Sequence, residues 1–326
     1  MKILVTGGAG FIGSHLVDRL VHDGHQVRVL DDLSNGSEAN LAQSAGRAEF
    51  IKGDIRDRAA VDRAVNGVAA VFHEAALGSV SRSVETPDVS NAVNVNGTLN
   101  VLMAARDAGV RRVVYASSSS AYGDTPTLPK HEEMPTVPSS PYGVTKLAAE
   151  LYCRVFWNVY KLETFSLRYF NVFGPRQNPK SLYAAVVPLF AMRLLEGKAP
   201  TVFGDGEQTR DFTYVDNVVE ANVLALKAEK GFGQAMNVAG GGRYSVNDLI
   251  QRLQKLTGCN VAPEYAARRA GDIRDSYADI EKARGLTGYA PVVGFDEGLR
   301  RTVESLRKTG AAHAAAPSGA HGSKRP

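Results

Sequence analysis

Only two of the 326 residues are cysteine, Cys153 and Cys259. They stand far apart, each in an apolar or turn context, and read as free thiols of a protein kept in a reducing compartment. No apolar run approaches the roughly 18–20 residues that cross a bilayer, and the few apolar residues after Met1 are too short for a secretion signal. No excess of one charge exists either: 38 Lys and Arg against 34 Asp and Glu leave +4, with no basic stripe along a helix, so a nucleic-acid surface is not expected. Neither an internal repeat nor a metal-ligand cluster is visible. The expectation is a cytoplasmic protein without membrane or nucleic-acid partners, although anionic small molecules remain open.

The chain is otherwise ordinary globular material, 44% hydrophobic and 22% charged. Its front half alternates short apolar runs, "KILVTG", "HQVRVLD", "AEFIKGD", "VAAVFHEAA" and "RRVVYASS", with amphipathic stretches such as 11–22 and 91–108. Unbroken apolar strands linked by helical crossovers predict an α/β, doubly wound parallel Rossmann sheet, buried on both faces. "LETFSLRYFNVFG" reads as a sixth strand. After it the prolines at 175, 179, 188 and 200 loosen the order, before a helix near 216–228, a returning strand "AMNVAG" and two amphipathic helices. The expected division is a dinucleotide-binding domain of 1–174 with 213–240, and a smaller α/β substrate domain of 175–212 with 241–308. The rest, 309–326, is low in bulky apolar residues and reads as a disordered tail.

"TGGAGFIG" closes the first strand and opens the first helix, with Gly7, Gly10 and Gly13 spaced G-x-x-G-x-x-G. Glycine lets a diphosphate approach the backbone, and the helix start offers it free N–H groups. A tight turn packed with small residues is the plainer explanation, but the setting in a first βα turn makes the motif informative. The second strand ends in Asp31-Asp32, where a carboxylate can accept the adenosine ribose hydroxyls and repel a 2′-phosphate. That favours NAD over NADP, with Arg28 as a softening feature. Asp54 and Ile55 in "GDIRD" stand where an adenine edge can lie, though turn chemistry also explains Asp54.

"SSPYGVTK" carries Tyr142 and Lys146 four apart, one helical turn on one face. A free phenol has a pKa near ~10, and a base working near neutrality needs it ~3 units lower. An adjacent ammonium and the positive ring of NAD+ both push that way. Twenty or so residues earlier, "YASSSSAYGD" ends a buried strand in Ser117, Ser118, Ser119 and Ser120, an odd place for a flexible linker.

Together Gly7, Gly10, Gly13, Ser118, Tyr142 and Lys146 resemble the extended short-chain dehydrogenase/reductase superfamily, from Met1 to about Lys308. "YASSSSAYGDTP", "SPYGVTK", "LRYFNVFGPRQNP", "YAAVVP" and "GDGEQTRDFTYVDN" are most similar to the UDP-hexose 4-epimerases, in particular the branch acting on UDP-N-acetylhexosamines. The resemblance implies a C4 epimerase working through a transient 4-keto sugar with tightly bound NAD. It assigns Ser118 to the sugar O4, Tyr142 to the proton on that oxygen, and Lys146 to the nicotinamide ribose. Cofactor contacts fall on Gly7, Gly10, Phe11, Ile12, Gly13, Asp31, Asp54, Ile55, Ala75, Asn94, Tyr142, Lys146 and Tyr169. Substrate contacts fall on Gly78, Ser79, Ser118, Ser119, Asn171, Ala185, Val186, Arg210, Arg269, Asp272 and Ser276, with the three charged ones clamping the UDP.

Within that family the serine run has a meaning. Related 4,6-dehydratases and uronate decarboxylases carry an Asp or Glu in this loop, and a serine is a poor acid–base catalyst unaided. The loop supports oxidation at C4 and little else. Ser276 aligns with a position where enzymes restricted to glucose and galactose carry a tyrosine, which leaves room for a 2-N-acetyl group. A UDP-glucuronate epimerase is the nearest rival, kept open by Arg176, and a non-catalytic NAD or nucleotide-sugar module is a second. Apolar stripes on the helix from Pro141 and over 92–105 fit either a homodimer, as in related enzymes, or core packing alone.

Overall fold

The structure, a computed structural model, describes residues 1–179, 185–268 and 273–315, with side chains in the last segment described as far as 308. The strands β1 (Lys2–Thr6), β2 (Gln26–Asp31), β3 (Ala48–Lys52), β4 (Ala70–His73), β5 (Arg112–Ser118) and β6 (Glu163–Tyr169) join a last strand, Gln234–Val238, in one sheet. The order across it is the Gln234–Val238 strand, then β6, β5, β4, β1, β2 and β3. Every pairing in it is parallel. Chain direction along the sheet reverses between β1 and β4, the point at which such folds open a crevice beyond the strand ends.

Strand residues alternate between two cores. Ile3, Val5, Val27, Val29 and Phe72 meet Leu16, Val17 and Leu20 of α1 (Phe11–His22). Leu4, Leu30 and Val71 meet α2 (Arg58–Val65), with Val101 and Leu102 of the helix that follows β4. Both faces are covered, which is why the strands read as unbroken apolar runs. Among the described residues no helix is long and apolar enough to cross a membrane.

The stretch 91–108 is not one regular helix. After α3 (Val80–Glu85) and α4 (Pro87–Asn91) the chain takes a wider π turn over Ala92–Gly97 before α5 (Thr98–Asp107). Two anchors explain the break. Asn94 is tied to Leu77 and Thr145, and Gly97 packs on Ile55 so closely that a Cβ would lie 2.6 Å from its side chain. The helix α6 (Pro141–Tyr160) starts as its sequence promises, with Pro141 in the first turn and the Ser140 hydroxyl accepting from the Gly143 N–H.

The remaining helices are α7 (Val186–Leu195), α8 (Val215–Lys227), α9 (Val246–Thr257), α10 (Glu281–Thr287) and α11 (Phe295–Ala315). α7, α9 and α11 share a separate core with Phe173, Phe212 and Tyr214, in which Phe295 stacks on Tyr244 at 4.2 Å and on Phe212 at 5.2 Å. Short strands edge this part: 209–210 pairs with both 244–245 and 275–276. α8 and the Gln234–Val238 strand belong to the large sheet, so the chain leaves the first part and comes back. α11 runs to Ala315, past the expected start of a tail at 309. Alanine, the best helix former, is abundant there.

Candidate active site

A cavity of about 540 Å³ opens over the C-terminal ends of the strands, within the range usual for small-molecule sites. The glycine turn forms one end. Gly7 has φ +69°, and a Cβ on it would lie 2.6 Å from the Ala75 nitrogen. A Cβ on Gly13 would sit 2.2 Å from the Gly7 carbonyl oxygen. α1 begins at Gly10 with no side chain capping it, so its leading N–H groups point at open space. The Asp31 carboxylate accepts from the N–H groups of Ala9 at 2.9 Å and Leu33 at 2.8 Å. These bonds hold it at the cavity while each oxygen keeps a lone pair for another donor. Burial raises its pKa, and the two N–H bonds pull it back. The glycines, the uncapped helix start and the fixed carboxylate form a cradle that fits an adenine dinucleotide.

Arg28 does not reach this end. Its guanidinium donates to the carbonyls of Ala64 and Asn66 and pairs with Glu49. The softening feature of the sequence is therefore an anchor beneath α2. The loop after Asp31 adds wall that sequence reasoning missed: Asn35 and Gly36 line the cavity, and Gly36 lies against Ala9, with room for no Cβ. The turn-forming "SNG" was the available signal.

The other end is built by β4, β5, α6 and β6. Ser118 leaves β5 as the cap of a short turn, its Oγ accepting from the Ser120 N–H at 3.1 Å. Ser117 faces the sheet and donates to Glu150 at 2.9 Å, and Glu150 forms a buried pair with Arg168, with contacts of 2.5 and 2.9 Å. The serines thus divide their work, one bolting the loop to a buried ion pair and the others facing the cavity. Tyr142 is half-buried, its phenol raised by desolvation and pulled back by a hydrogen bond with Ser118. Lys146 donates to the Ala116 carbonyl at 2.8 Å, with its Nζ 5.9 Å from the Tyr142 ring centre. Burial brings Lys146 down to about 8, against the pull of Glu74. The protein's own groups therefore do not acidify the phenol on balance. Desolvation outweighs the Ser118 hydrogen bond, and the downward push expected from the ammonium does not govern the phenol.

Of the expected contacts, Gly7, Gly10, Phe11, Ile12, Gly13, Asp31, Asp54, Ile55, Ala75, Gly78, Ser118, Ser119, Tyr142, Lys146, Tyr169, Asn171 and Ala185 line this one cavity. Others stand off its wall. Asn94 spends its amide on Leu77 and Thr145. Ser79 caps α3 by accepting from Arg82, and Val186 opens α7. Arg210 donates to the carbonyls of Thr209, Ile273 and Arg274, and its strand pairs it with Ser276. Arg269 and Asp272 lie outside the described residues. Arg176 pairs with Asp18 through one nitrogen at 2.6 Å, while its other terminal nitrogen is buried without a hydrogen-bond partner. Glu74, overlooked in the sequence, lines the cavity beside Lys146. Its signal was a lone acid at the end of the apolar run "VAAVFHEAA".

The pattern of the NAD dependent epimerase/dehydratase family matches residues 3–239. The chain belongs to that family. The UDP-glucose 4-epimerase of Mycolicibacterium smegmatis is 44% identical over 316 residues, covering 94% of this chain and 99% of its own. The Thermotoga maritima UDP-glucose 4-epimerase, solved with UDP-glucose, superposes with a TM-score of 0.91 at 41% identity, over 95% of this chain and 99% of that one. The UDP-N-acetylglucosamine 4-epimerase of Methanobrevibacter ruminantium, in complex with UDP-N-acetylmuramic acid, gives 0.90 at 38%, over 94% and 98%. The chain is an NAD-dependent UDP-sugar 4-epimerase. The sugar differs between these relatives, so their names leave the preferred hexose of this epimerase unresolved.

Proposed function

We propose that the epimerase inverts C4 of UDP-N-acetylglucosamine and UDP-N-acetylgalactosamine, and also of UDP-glucose and UDP-galactose, with Tyr142 as base. The observation that carries the chemistry is the meeting of Tyr142, Ser118 and Lys146 on one wall of the cavity that also holds the glycine turn. Ser118 orients the 4-hydroxyl and Tyr142 takes its proton. Lys146, fixed by the Ala116 carbonyl, holds the cofactor ribose. NAD+ in the cavity supplies the hydride acceptor for C4 and a positive charge that favours the phenolate. With a sugar held loosely and a UDP held firmly, the 4-ketose turns over before its C4 is reduced on the other face. Asn171 and Ala185 contribute to the substrate wall, Arg210 backs the uridine end, and Ser276 beside it faces the sugar. The division into a 1–174/213–240 cofactor part and a 175–212/241–308 sugar part follows the same logic. Tyr142→Phe should lower kcat by orders of magnitude and leave UDP-sugar binding nearly intact. A mutant of almost full activity would refute the assignment.

The N-acetyl reading rests on Ser276, a small residue 8% exposed that is register partner of Arg210. Burying an acetyl methyl there is worth about 1 kcal/mol. Purified protein mixed with UDP-N-acetylglucosamine should yield UDP-N-acetylgalactosamine on chromatography. Conversion of UDP-glucose alone would confine the enzyme to the unsubstituted hexoses.

A homodimer is the fitting assembly. Val144, Leu151, Tyr152, Val155 and Val159 stand exposed along α6, beside Val80, Val84 and Val89. The second stripe expected over 92–105 is largely taken by the core, since Val101, Leu102 and Ala105 are fully buried. Leu151→Glu with Val155→Glu should shift the sedimentation velocity to that of a monomer.

A further inference from the structure

Glu74 ends β4 with its side chain on the cavity wall, and nothing in the proton transfer above uses it. Its Oε1 accepts from the Tyr169 hydroxyl at 2.8 Å, and that hydroxyl accepts in turn from Asn222 of α8 at 2.8 Å. The carboxyl is therefore clamped in place. Around it stand Lys146 and Tyr142 from α6, Tyr115 from β5 and Tyr169 from β6. Its chain neighbour His73 is held between Thr6 and Thr98 and is kept neutral by burial.

Among the described residues the charged side chains on the cavity wall are Asp31, Asp32 and Asp54 near the glycine turn, and Glu74 with Lys146 near Tyr142. A hydride must reach C4 where Tyr142 meets the 4-hydroxyl, so the reacting ring belongs at that end. Lys146 alone would place an unbalanced positive charge there and favour the neutral, reduced ring over the positive, oxidised one. A fixed carboxylate beside it offsets that preference.

We propose that Glu74 biases the bound nicotinamide towards its oxidised form, which hastens return of hydride to the ketose and keeps the enzyme ready for the next sugar. This rests on the epimerase reading above. The couple is NAD+ plus hydride giving NADH, and Glu74 exchanges no electrons. Burial lifts its carboxyl to about 7, so the bias is present when the group is ionised and fades as pH falls.

The test is a redox titration of the holoenzyme against a mediator dye, read by the absorbance of the bound reduced ring. At about pH 8 Glu74→Gln should raise the ratio of reduced to oxidised cofactor about tenfold at a fixed potential, the size expected of one unit charge within ~10 Å at an effective dielectric near ~20. The gap should close towards about pH 5.5. Equal ratios for wild type and Glu74→Gln at the higher pH, or a gap that does not close as the pH falls, would overturn the proposal. Should Glu74→Gln not retain cofactor, the wild type decides: its reduced fraction must show an additional proton-linked step around pH 7, and a profile without it overturns the proposal. A wild type holding no nicotinamide at all would remove the epimerase reading as well.

Discussion

Residues 2–36, one continuous piece of chain, make most of the dinucleotide end of the cavity, with β1, the glycine turn, α1, β2 and the loop after it in immediate succession. The other end draws on β4, β5, α6, β6 and on Asn171, Gln177 and Ala185, segments that meet only in the folded state. The first end works through backbone: N–H groups, positive φ and missing Cβ atoms. The second works through side chains held by other side chains, as Ser117 is held by Glu150 and Glu150 by Arg168. A backbone site tolerates almost no added atom. A side-chain site can be altered in small steps, and its supports are therefore the places to probe.

Gly13→Ala should have the largest effect. A methyl 2.2 Å from the Gly7 oxygen forces the turn apart, and a displacement of about 1 Å at such a site costs on the order of 10²-fold. Retained cofactor binding in isothermal titration would show that the turn is less constrained than its geometry implies. Glu150→Gln comes next. Both partners of the Glu150–Arg168 pair are 3% exposed, and removing one charge of a buried pair costs about 3–5 kcal/mol. Urea unfolding should show that loss, and Glu150→Gln with Arg168→Met should recover part of it. A double mutant no better than the single one would mean that the pair is not what supports the serine loop.

Ser276→Tyr should act on specificity, weakening UDP-N-acetylglucosamine turnover about tenfold more than UDP-glucose turnover, the equivalent of ~1.4 kcal/mol lost from one pocket. Equal losses for both sugars would detach Ser276 from the acetyl group. The smallest effect concerns pH. Asp211 is buried and accepts from Gly240 at 2.9 Å, yet burial raises it to about 7. An unfolded aspartate titrates near ~3.9. Between these values the folded chain holds the extra proton, so this group favours folding at low pH, and the advantage is lost as pH rises through about 7. The stability gap between wild type and Asp211→Asn should therefore narrow from about pH 5 to about pH 9. A gap that is flat in urea midpoints across that range would contradict the shift.

Much of the cofactor end was legible before any coordinates. Periodicity placed α1 at 11–22, and the last parallel strand, Gln234–Val238, lies within the expected "AMNVAG" run but for its first residue. Gly7, Gly13 and Asp31 fall where their spacing put them because the turn is local and admits few residue types. Arg28 and Arg176 went the other way. Each is a guanidinium beside a motif, and only the folded chain gives their partners, Glu49 with the carbonyls under α2 for Arg28 and Asp18 on α1 for Arg176. Glu74 was invisible for the same reason, since a single acid in an apolar strand has no pattern around it.

What the sequence determined alone is the sheet, the glycine turn with its acid, and the presence of a tyrosine and lysine one helical turn apart. The strands, the turn and the helical pair each show in local composition and spacing, so the sequence carries them, although the sheet itself pairs distant segments such as Ile3 with Ala70. Tertiary structure decided which of the four serines is tied to the buried Glu150, which partners Arg28 and Arg176 take, and that burial, not the neighbouring ammonium, sets the Tyr142 phenol in the protein alone. Charge and desolvation are properties of neighbours brought together from distant chain segments, and no local pattern records them.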